Sequence, residues 1–188
     1  ALGLMLCFGI AWSVFGGAGH FFYANFDWII RDAVLRDLVV SAWPPGYGDL
    51  EEGGMILRAP LAYYLPAALV GTVIGLPFAD LALYGWTALG TILFITLLPL
   101  PTKSLGWLLA CLCLLVLFSG LDILGWLTTG ASTPVPGSHL EWWAGIFQYS
   151  SNSTQLFWVP NHALPGWIAM ALFFRHWRSP GFFTFAPL

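Results

Sequence analysis

Acidic and basic side chains alternate along residues 27–37, the first part of the chain with side chains suited to catalysis or ligand binding. A carboxylate there can take the proton of an attacking hydroxyl, and arginines can hold a phosphate through two hydrogen bonds. Asp27 and Asp37 are therefore predicted as catalytic candidates, with Asp27 as general base. The alternative is structural, because Asp27 suits a helix N-cap and the spacing from Asp27 to Arg31 gives an i,i+4 ion pair.

The arginines of this region are predicted phosphate ligands. These residues are Arg31, Arg36 and Arg58. Their alternative is pairing with neighbouring acids, and the spacing from Asp32 to Arg36 favours an i,i+4 ion pair on a helix. Stepping around a helical wheel scatters the charges rather than segregating them. This predicts a short helix wedged between other elements, with its charges in partly dry, paired sites.

A second polar stretch, late in the chain, interleaves amides and hydroxyls with aromatic rings. Sugar hydroxyls need hydrogen-bond partners, and sugar C–H faces pack on aromatic rings, so this composition favours carbohydrate binding. The aromatic residues could instead form a membrane-interface belt. The predicted substrate-binding residues here are His139, Glu141, Trp142, Gln148, Tyr149, Asn152, Gln155, Asn161 and His162.

Asp122 is the third catalytic candidate, since it follows a long apolar run. A carboxylate within a membrane span costs about 2.5–3.5 kcal/mol on insertion scales, so it suggests function, unless the residue lies at the water boundary. Asp122, His139 and Glu141 could hold Mg²⁺ or Mn²⁺. Their spacing matches no metal motif, so no metal site and no cofactor are predicted. His20 is interpreted as an interfacial hydrogen-bonding residue.

The composition restricts the classes of protein that need considering. The chain has 188 residues, of which 59% are hydrophobic and 8% charged, and a net charge of −3. Soluble domains carry roughly 25% charged residues, and disordered chains are more polar still. A negative chain also offers no basic surface for nucleic acid. A polytopic, multi-pass membrane protein remains, and the resemblance described below implies a bacterial inner membrane as its location.

The predicted fold is all-α, a single transmembrane helical bundle over residues 1–188 that forms part of a longer chain. Two polar, aromatic-rich loops, residues 25–59 and 129–155, are expected to contain short interfacial helices, and the first carries most of the charges. Each span needs about 20 apolar residues. The five predicted spans are about 1–24, 60–78, 81–100, 105–128 and 156–174.

Several motifs carry a resemblance to bacterial polytopic membrane proteins of uncharacterised function. In the first loop they are Asp27-Trp28, Ala33-Val34-Leu35, Asp37-Leu38, Trp43-Pro44 and Tyr47, followed by Tyr63-Tyr64-Leu65-Pro66 in the next predicted span. In the second loop they are His139-x-Glu141-Trp142-Trp143 and Phe147-Gln148-Tyr149-Ser150-Ser151, leading to Leu156-Phe157-Trp158-Val159. The arrangement also resembles the amino-terminal part of GT-C-type glycosyltransferases, in which an acidic residue follows the first span.

The second resemblance implies transfer of a sugar from a polyprenyl-phosphate carrier to a lipid, glycan or protein acceptor. Its partners would be membrane lipids, a lipid-linked sugar and other membrane subunits. The alternatives are a non-catalytic subunit or scaffold of a membrane complex, and thirdly a transporter.

The topology that five spans imply conflicts with the glycosyltransferase interpretation. Five simple crossings put the two loops on opposite faces, and all six basic residues on the first loop's face, which should then be cytoplasmic. Either one apolar segment is re-entrant or split, or the enzyme interpretation is wrong.

Overall fold

The structure is a computed structural model that describes residues 1–48, 54–118, 122–130, 140–145 and 150–179. It is mostly helical, as the all-α prediction requires. The helices are α1 (Leu2–Val14), α2 (Trp28–Val40), α3 (Leu61–Ile74), α4 (Leu76–Leu97), α5 (Leu105–Leu117), α6 (Asp122–Thr129), α7 (Asn152–Trp158) and α8 (Pro160–His176). Single 3₁₀ turns lie at Ala18–His20 and Leu140–Ala144, and β1 (Gly46–Tyr47) pairs antiparallel with β2 (Met55–Ile56).

The chain divides into two compact units, and the larger one contains Leu2–Pro99 and the segment from Phe157 onward. Helix α4 lies at its centre. An added Cβ at Gly9 of α1 would lie 2.7 Å from Ile92, and one at Gly90 would lie 3.1 Å from Leu164 of α8. The absence of side chains at these glycines therefore lets α1 and α8 lie close against α4.

Polar groups also join α4 to its neighbours. The Ser13 hydroxyl donates to Thr91 Oγ1 at 3.1 Å, and both residues are fully buried. The hydroxyls of Tyr63 and Thr87 lie 2.6 Å apart between α3 and α4. Thr91 in turn donates to the backbone carbonyl of Thr87. Paired hydroxyls of this kind satisfy polar atoms that would be costly to bury alone.

The helix directions follow from these contacts. Along α1 the contacts with α4 run from Gly9 with Ile92, through Ser13 with Thr91, to Phe21 with Tyr84 just beyond α1, so the two helices are antiparallel. Five successive crossings would make them parallel, since they are the first and third predicted spans. The contacts instead fit the alternative in which an apolar segment is split or re-entrant.

Helix α3 is too short to cross a bilayer by itself. Its 14 residues extend about 21 Å, less than the roughly 30 Å of a bilayer's hydrocarbon core. Its contacts run from Tyr63 beside Thr87, midway along α4, to Gly71 beside Ala79 near the start of α4. The structure therefore gives a helical hairpin in which α3 lies along one half of α4.

Within the described ranges, α4 is the one helix that is both long and apolar enough to cross a membrane by itself. Helices α5 and α6, whose axes differ by 49°, would qualify if they formed one bent span. The predicted spans 1–24 and 60–78 contain the shorter apolar helices α1 and α3, and the predicted span 156–174 contains most of α8. Membrane association thus has support from one helix, and the five-span bundle stays a prediction.

The smaller unit contains Leu100–Leu156. The Asn152 side chain donates to the carbonyl of Leu115 at 2.8 Å, and the Ser153 hydroxyl donates to that of Val116 at 2.9 Å. The Asn152 backbone N–H donates to Phe118 O. The start of α7 therefore supplies partners for the carbonyls that the end of α5 leaves free.

Candidate functional site

The start of α2 is held in place by a shared carbonyl. Both the Asn25 amide, at 2.8 Å, and the Trp28 indole N–H, at 2.9 Å, donate to the carbonyl of Phe157. Asn25 Oδ1 also accepts from the backbone N–H of Asp27 at 3.0 Å. Phe157 lies at the start of the last predicted span. The beginning of the first predicted loop is thus held against this predicted span.

Gly17 allows Trp28 to occupy this position. A Cβ at residue 17 would lie 1.9 Å from the indole Nε1, so only glycine leaves room for the ring. The ring is almost fully buried. The imidazole of His20 meets its edge, with the ring centroids 6.2 Å apart. Trp28 therefore couples α2 to the 3₁₀ turn that follows α1.

Asp27 and Arg31 are brought together as the sequence predicts. Arg31 Nη1 lies 3.5 Å from Asp27 Oδ2 and donates to the Asp27 backbone carbonyl at 2.9 Å. The guanidinium is buried, whereas the Asp27 side chain is 38% exposed. Asp27 occupies the N-cap position, but its carboxylate does not cap the helix. The carboxylate is therefore open to a ligand on one side.

The buried guanidinium is only partly used. Within the described part of the chain, Arg31 Nε has no hydrogen-bond acceptor. Its carbon Cζ lies 5.9 Å from the centroid of the Trp28 ring, within range of a cation–π contact. A buried donor without an acceptor costs about 1–3 kcal/mol, so such a group needs an explanation. An anionic ligand could accept a hydrogen bond from this donor.

Asp32 does not pair with Arg36, and the predicted i,i+4 pair is wrong. Asp32 Oδ1 lies instead 3.2 Å from Nε2 of His20. Arg36 is exposed and forms no ion pair with any residue in the described ranges. The reason is tertiary: the 3₁₀ turn presents an imidazole to the side of α2 from which Asp32 projects.

A third ligating group completes this cluster. Asp80, in the first turns of α4, joins His20 and Asp32, and the three ligating atoms all lie within 4.8 Å of one another. Burial raises the pKa of Asp32, while His20 and then Arg31 oppose that rise. The site combines two carboxylates with one imidazole at the end of α4 where the 3₁₀ turn lies.

His20 has an unusual backbone conformation. Its φ is +56°, and the preceding Gly19 has φ +78°. Positive φ is uncommon in residues other than glycine, although histidine is among those that tolerate it better. Gly19 also has no space for a side chain, because a Cβ would lie 2.8 Å from Tyr84 Cβ. This turn fixes the direction in which the imidazole leaves the backbone.

Comparisons with protein-family models, with curated proteins and with solved structures gave no match. Function therefore has to be argued from the geometry of these side chains.

The other predicted residues of the first loop lie at more exposed positions. Asp37 accepts a hydrogen bond from the Tyr47 hydroxyl, which ties α2 to β1. This bond raises the pKa of the exposed Tyr47 phenol. Arg58, after β2, is exposed. The structure thus places Asp27 and Arg31 together but gives Asp37 a separate partner.

In the smaller unit, Asp122 is buried at the start of α6 and accepts a hydrogen bond from the Trp143 indole at 3.2 Å. Glu141 is buried in the second 3₁₀ turn. Gln155 donates to the carbonyl of Ser150 at 3.0 Å. Like Asn152, it uses part of its amide on the backbone, so any sugar contact must use the rest.

The remaining members of the predicted sugar site divide into two groups. His139, Gln148 and Tyr149 lie outside the described residues, as does the side chain of Trp142. In the first turn of α8, His162 is exposed and Asn161 is buried. Asn161 Oδ1 has no hydrogen-bond partner among the described residues.

The sequence interpretation missed two residues of the clearest cluster, His20 and Asp80. The signal for Asp80 was present, because a carboxylate beside an apolar run suggests function. The reasoning that singles out Asp122 does not single out Asp80, because Asp80 lies between the predicted spans 60–78 and 81–100, where a charge is expected. For the imidazole of His20 nothing local indicated a carboxylate partner.

Proposed function

We propose that this chain belongs to a membrane glycosyltransferase of the GT-C type, in which Asp27 is the general base and Arg31 binds the phosphate of a polyprenyl-phosphate sugar. The observation that carries the proposal is the combination at the start of α2. A half-exposed carboxylate stands there beside a buried guanidinium with an unused N–H donor.

The first step is phosphate binding. A guanidinium matches the geometry of phosphate oxygens and remains charged in a buried position. Arg31 Nη1 already donates to the Asp27 backbone carbonyl, which leaves the Nε–H donor for an acceptor from outside the described residues. A phosphate oxygen would supply that acceptor and offset the cost of the unpaired donor.

The second step is proton transfer. An acceptor hydroxyl that attacks the sugar must lose its proton, and a carboxylate within hydrogen-bond distance can take it. Asp27 is suited to this role because its backbone is fixed by Asn25 while its carboxylate stays half-exposed.

The third support is the contact between the start of α2 and Phe157. Phe157 O accepts from both Asn25 and Trp28, so the residues just before α8 lie against the start of α2. Asn161 follows within α8 and keeps a buried carbonyl oxygen without a partner in the described ranges. A sugar hydroxyl could donate to it.

The test is a transfer assay on the full protein in native membranes, supplied with a labelled polyprenyl-phosphate sugar. Asp27→Asn should lower the transfer rate by at least about 100-fold, the usual contribution of a general base, and leave binding of the lipid-linked sugar intact. Arg31→Gln should weaken that binding. Arg178→Gln is the matched control, since Arg178 lies after α8 over the Trp177 ring, and it should have no effect.

Unchanged transfer in Asp27→Asn would overturn the proposal. It would leave the Asp27–Arg31 pair with the structural role of an ion pair and favour the scaffold alternative. Asp27→Glu keeps the charge but moves the carboxylate outward. It should retain part of the rate, because a carboxylate remains near the acceptor hydroxyl.

A further inference from the structure

We infer that His20, Asp32 and Asp80 form a binding site for one divalent transition-metal ion at the end of α4. The inference is independent of the proposed transfer reaction, since it uses neither Asp27 nor Arg31. It rests on the chemistry of the three side chains, on their spacing and on the charge around them.

The spacing fits shared coordination. Two ligands each about 2.1 Å from one ion lie about 3.0 Å apart at right angles and about 3.4 Å apart at tetrahedral angles. His20 Nε2 and Asp32 Oδ1 are 3.2 Å apart, between these values. Asp80 lies within 4.8 Å of both ligand atoms, so a small side-chain rotation brings it into range.

The three ligands come from separate elements, the 3₁₀ turn, α2 and α4. Their convergence is therefore produced by the tertiary fold and not by neighbouring positions in the sequence. His20 is fixed by its backbone and by its edge contact with Trp28. A metal at this point would tie the three elements together.

The local charge favours a cation. Two carboxylates lie close to one imidazole, and both are partly withdrawn from water. The nearest arginine in the described ranges, Arg31, is engaged with Asp27 through its Nη1. A divalent ion would neutralise both carboxylates at once, which the imidazole alone cannot do.

The ligand set indicates which ions to expect. Imidazole suits zinc and other transition ions, whereas a site for Mg²⁺ is typically built from oxygen ligands alone. Zn²⁺ should bind more tightly than Mn²⁺, as the general order of divalent affinities predicts. Three protein ligands at a half-exposed position also leave coordination places for water or an anion.

The experiment is a Mn²⁺ titration of the chelator-treated, detergent-solubilised full protein, followed by electron paramagnetic resonance, with Zn²⁺ as competitor. One Mn²⁺ should bind per chain and be displaced by Zn²⁺. Asp32→Asn, Asp80→Asn and His20→Asn should each weaken binding at least tenfold. Asparagine is chosen at position 20 because it tolerates positive φ, and at position 32 because it can keep the hydrogen bond to the imidazole.

Asp37→Asn is the matched control, since it makes the same change on the same helix away from the cluster. It should bind Mn²⁺ as the unmodified chain does, and so should Asp27→Asn. The inference is overturned if the unmodified chain shows no saturable binding below about 1 mM Mn²⁺. It is also overturned if the folded Asp32→Asn and His20→Asn variants bind as tightly as the unmodified chain, whatever becomes of Asp80→Asn.

Discussion

Replacing Gly17 by alanine tests how the site is held together. The new Cβ would lie 1.9 Å from Trp28 Nε1, whereas ordinary contacts begin near 3.4 Å, so the indole must withdraw by about 1.5 Å. The ring is 1% exposed, so it is enclosed by neighbouring atoms that resist its movement. Withdrawal would also break its 2.9 Å hydrogen bond to Phe157 O.

The magnitude follows from these two costs. Overpacking a core typically costs about 1–3 kcal/mol, and losing a hydrogen bond in a buried place adds about 1 kcal/mol. Gly17 has right-handed helical dihedrals, φ −74° and ψ −17°, so alanine adds no backbone strain. Alanine should offset about 0.4–1 kcal/mol of the lost stability, because it leaves the unfolded chain fewer conformations than glycine does. The net loss expected in the free energy of unfolding is about 1–4 kcal/mol.

The assay is equilibrium unfolding in detergent, followed by tryptophan fluorescence and far-ultraviolet circular dichroism. Gly85→Ala is the matched control, since a Cβ at Gly85 of α4 meets nothing within 4 Å, and this variant should be as stable as the parent or slightly more stable. If Gly17→Ala proves as stable as Gly85→Ala, Trp28 does not pack on Gly17 and the described anchor of α2 is wrong.

Three further outcomes are expected from other contacts. Asp37→Asn should lower the pKa of the Tyr47 phenol towards its ordinary 10.0, because the carboxylate that accepts the phenol's hydrogen bond is lost. Absorbance at alkaline pH measures this pKa, and an unchanged value would contradict the contact. Asp32→Asn, without metal, should increase the free energy of unfolding at neutral pH. Burial raises the pKa of the Asp32 carboxyl, so the unmodified chain loses stability as the pH rises from the ordinary 3.8 through that raised pKa. The gain in the free energy of unfolding from Asp32→Asn should therefore vanish below pH 3.8. A gain that grew in acid would contradict this pH dependence. Ser13→Ala should cost about 1 kcal/mol in chemical unfolding, since it removes the buried donor to Thr91, and a stabilised variant would contradict that contact.

Local patterns in the sequence predicted part of the site. The i,i+4 spacing correctly indicated a helix after Asp27 and its ion pair with Arg31. The expectation of a short helix between other elements with partly dry, paired charges is met in part by α2. Arg31 is buried and Val39 approaches Gly71 of α3, whereas Arg36 is exposed and forms no ion pair in the described ranges. These features depend on residues a few positions apart, which the helical repeat relates directly.

Features that depend on distant residues were not predictable. The same i,i+4 rule gave the wrong partner for Asp32, because an imidazole from another element lies closer than Arg36. The antiparallel packing of α1 and α4 could not be read from hydropathy, which marks apolar segments but not their directions. The contact of Phe157 with Asn25 likewise spans most of the chain and has no local signature.

The most direct test of the proposed function is the position of a bound phosphate. A cryo-electron microscopy map of the full protein, with an antibody fragment and a polyprenyl-phosphate sugar, would locate the phosphate relative to α2. We expect phosphate density within hydrogen-bond distance, about 3 Å, of the Arg31 guanidinium, with the sugar on the side of Asp27. Phosphate density far from α2, with Arg31 still bound only to Asp27, would contradict the proposed function.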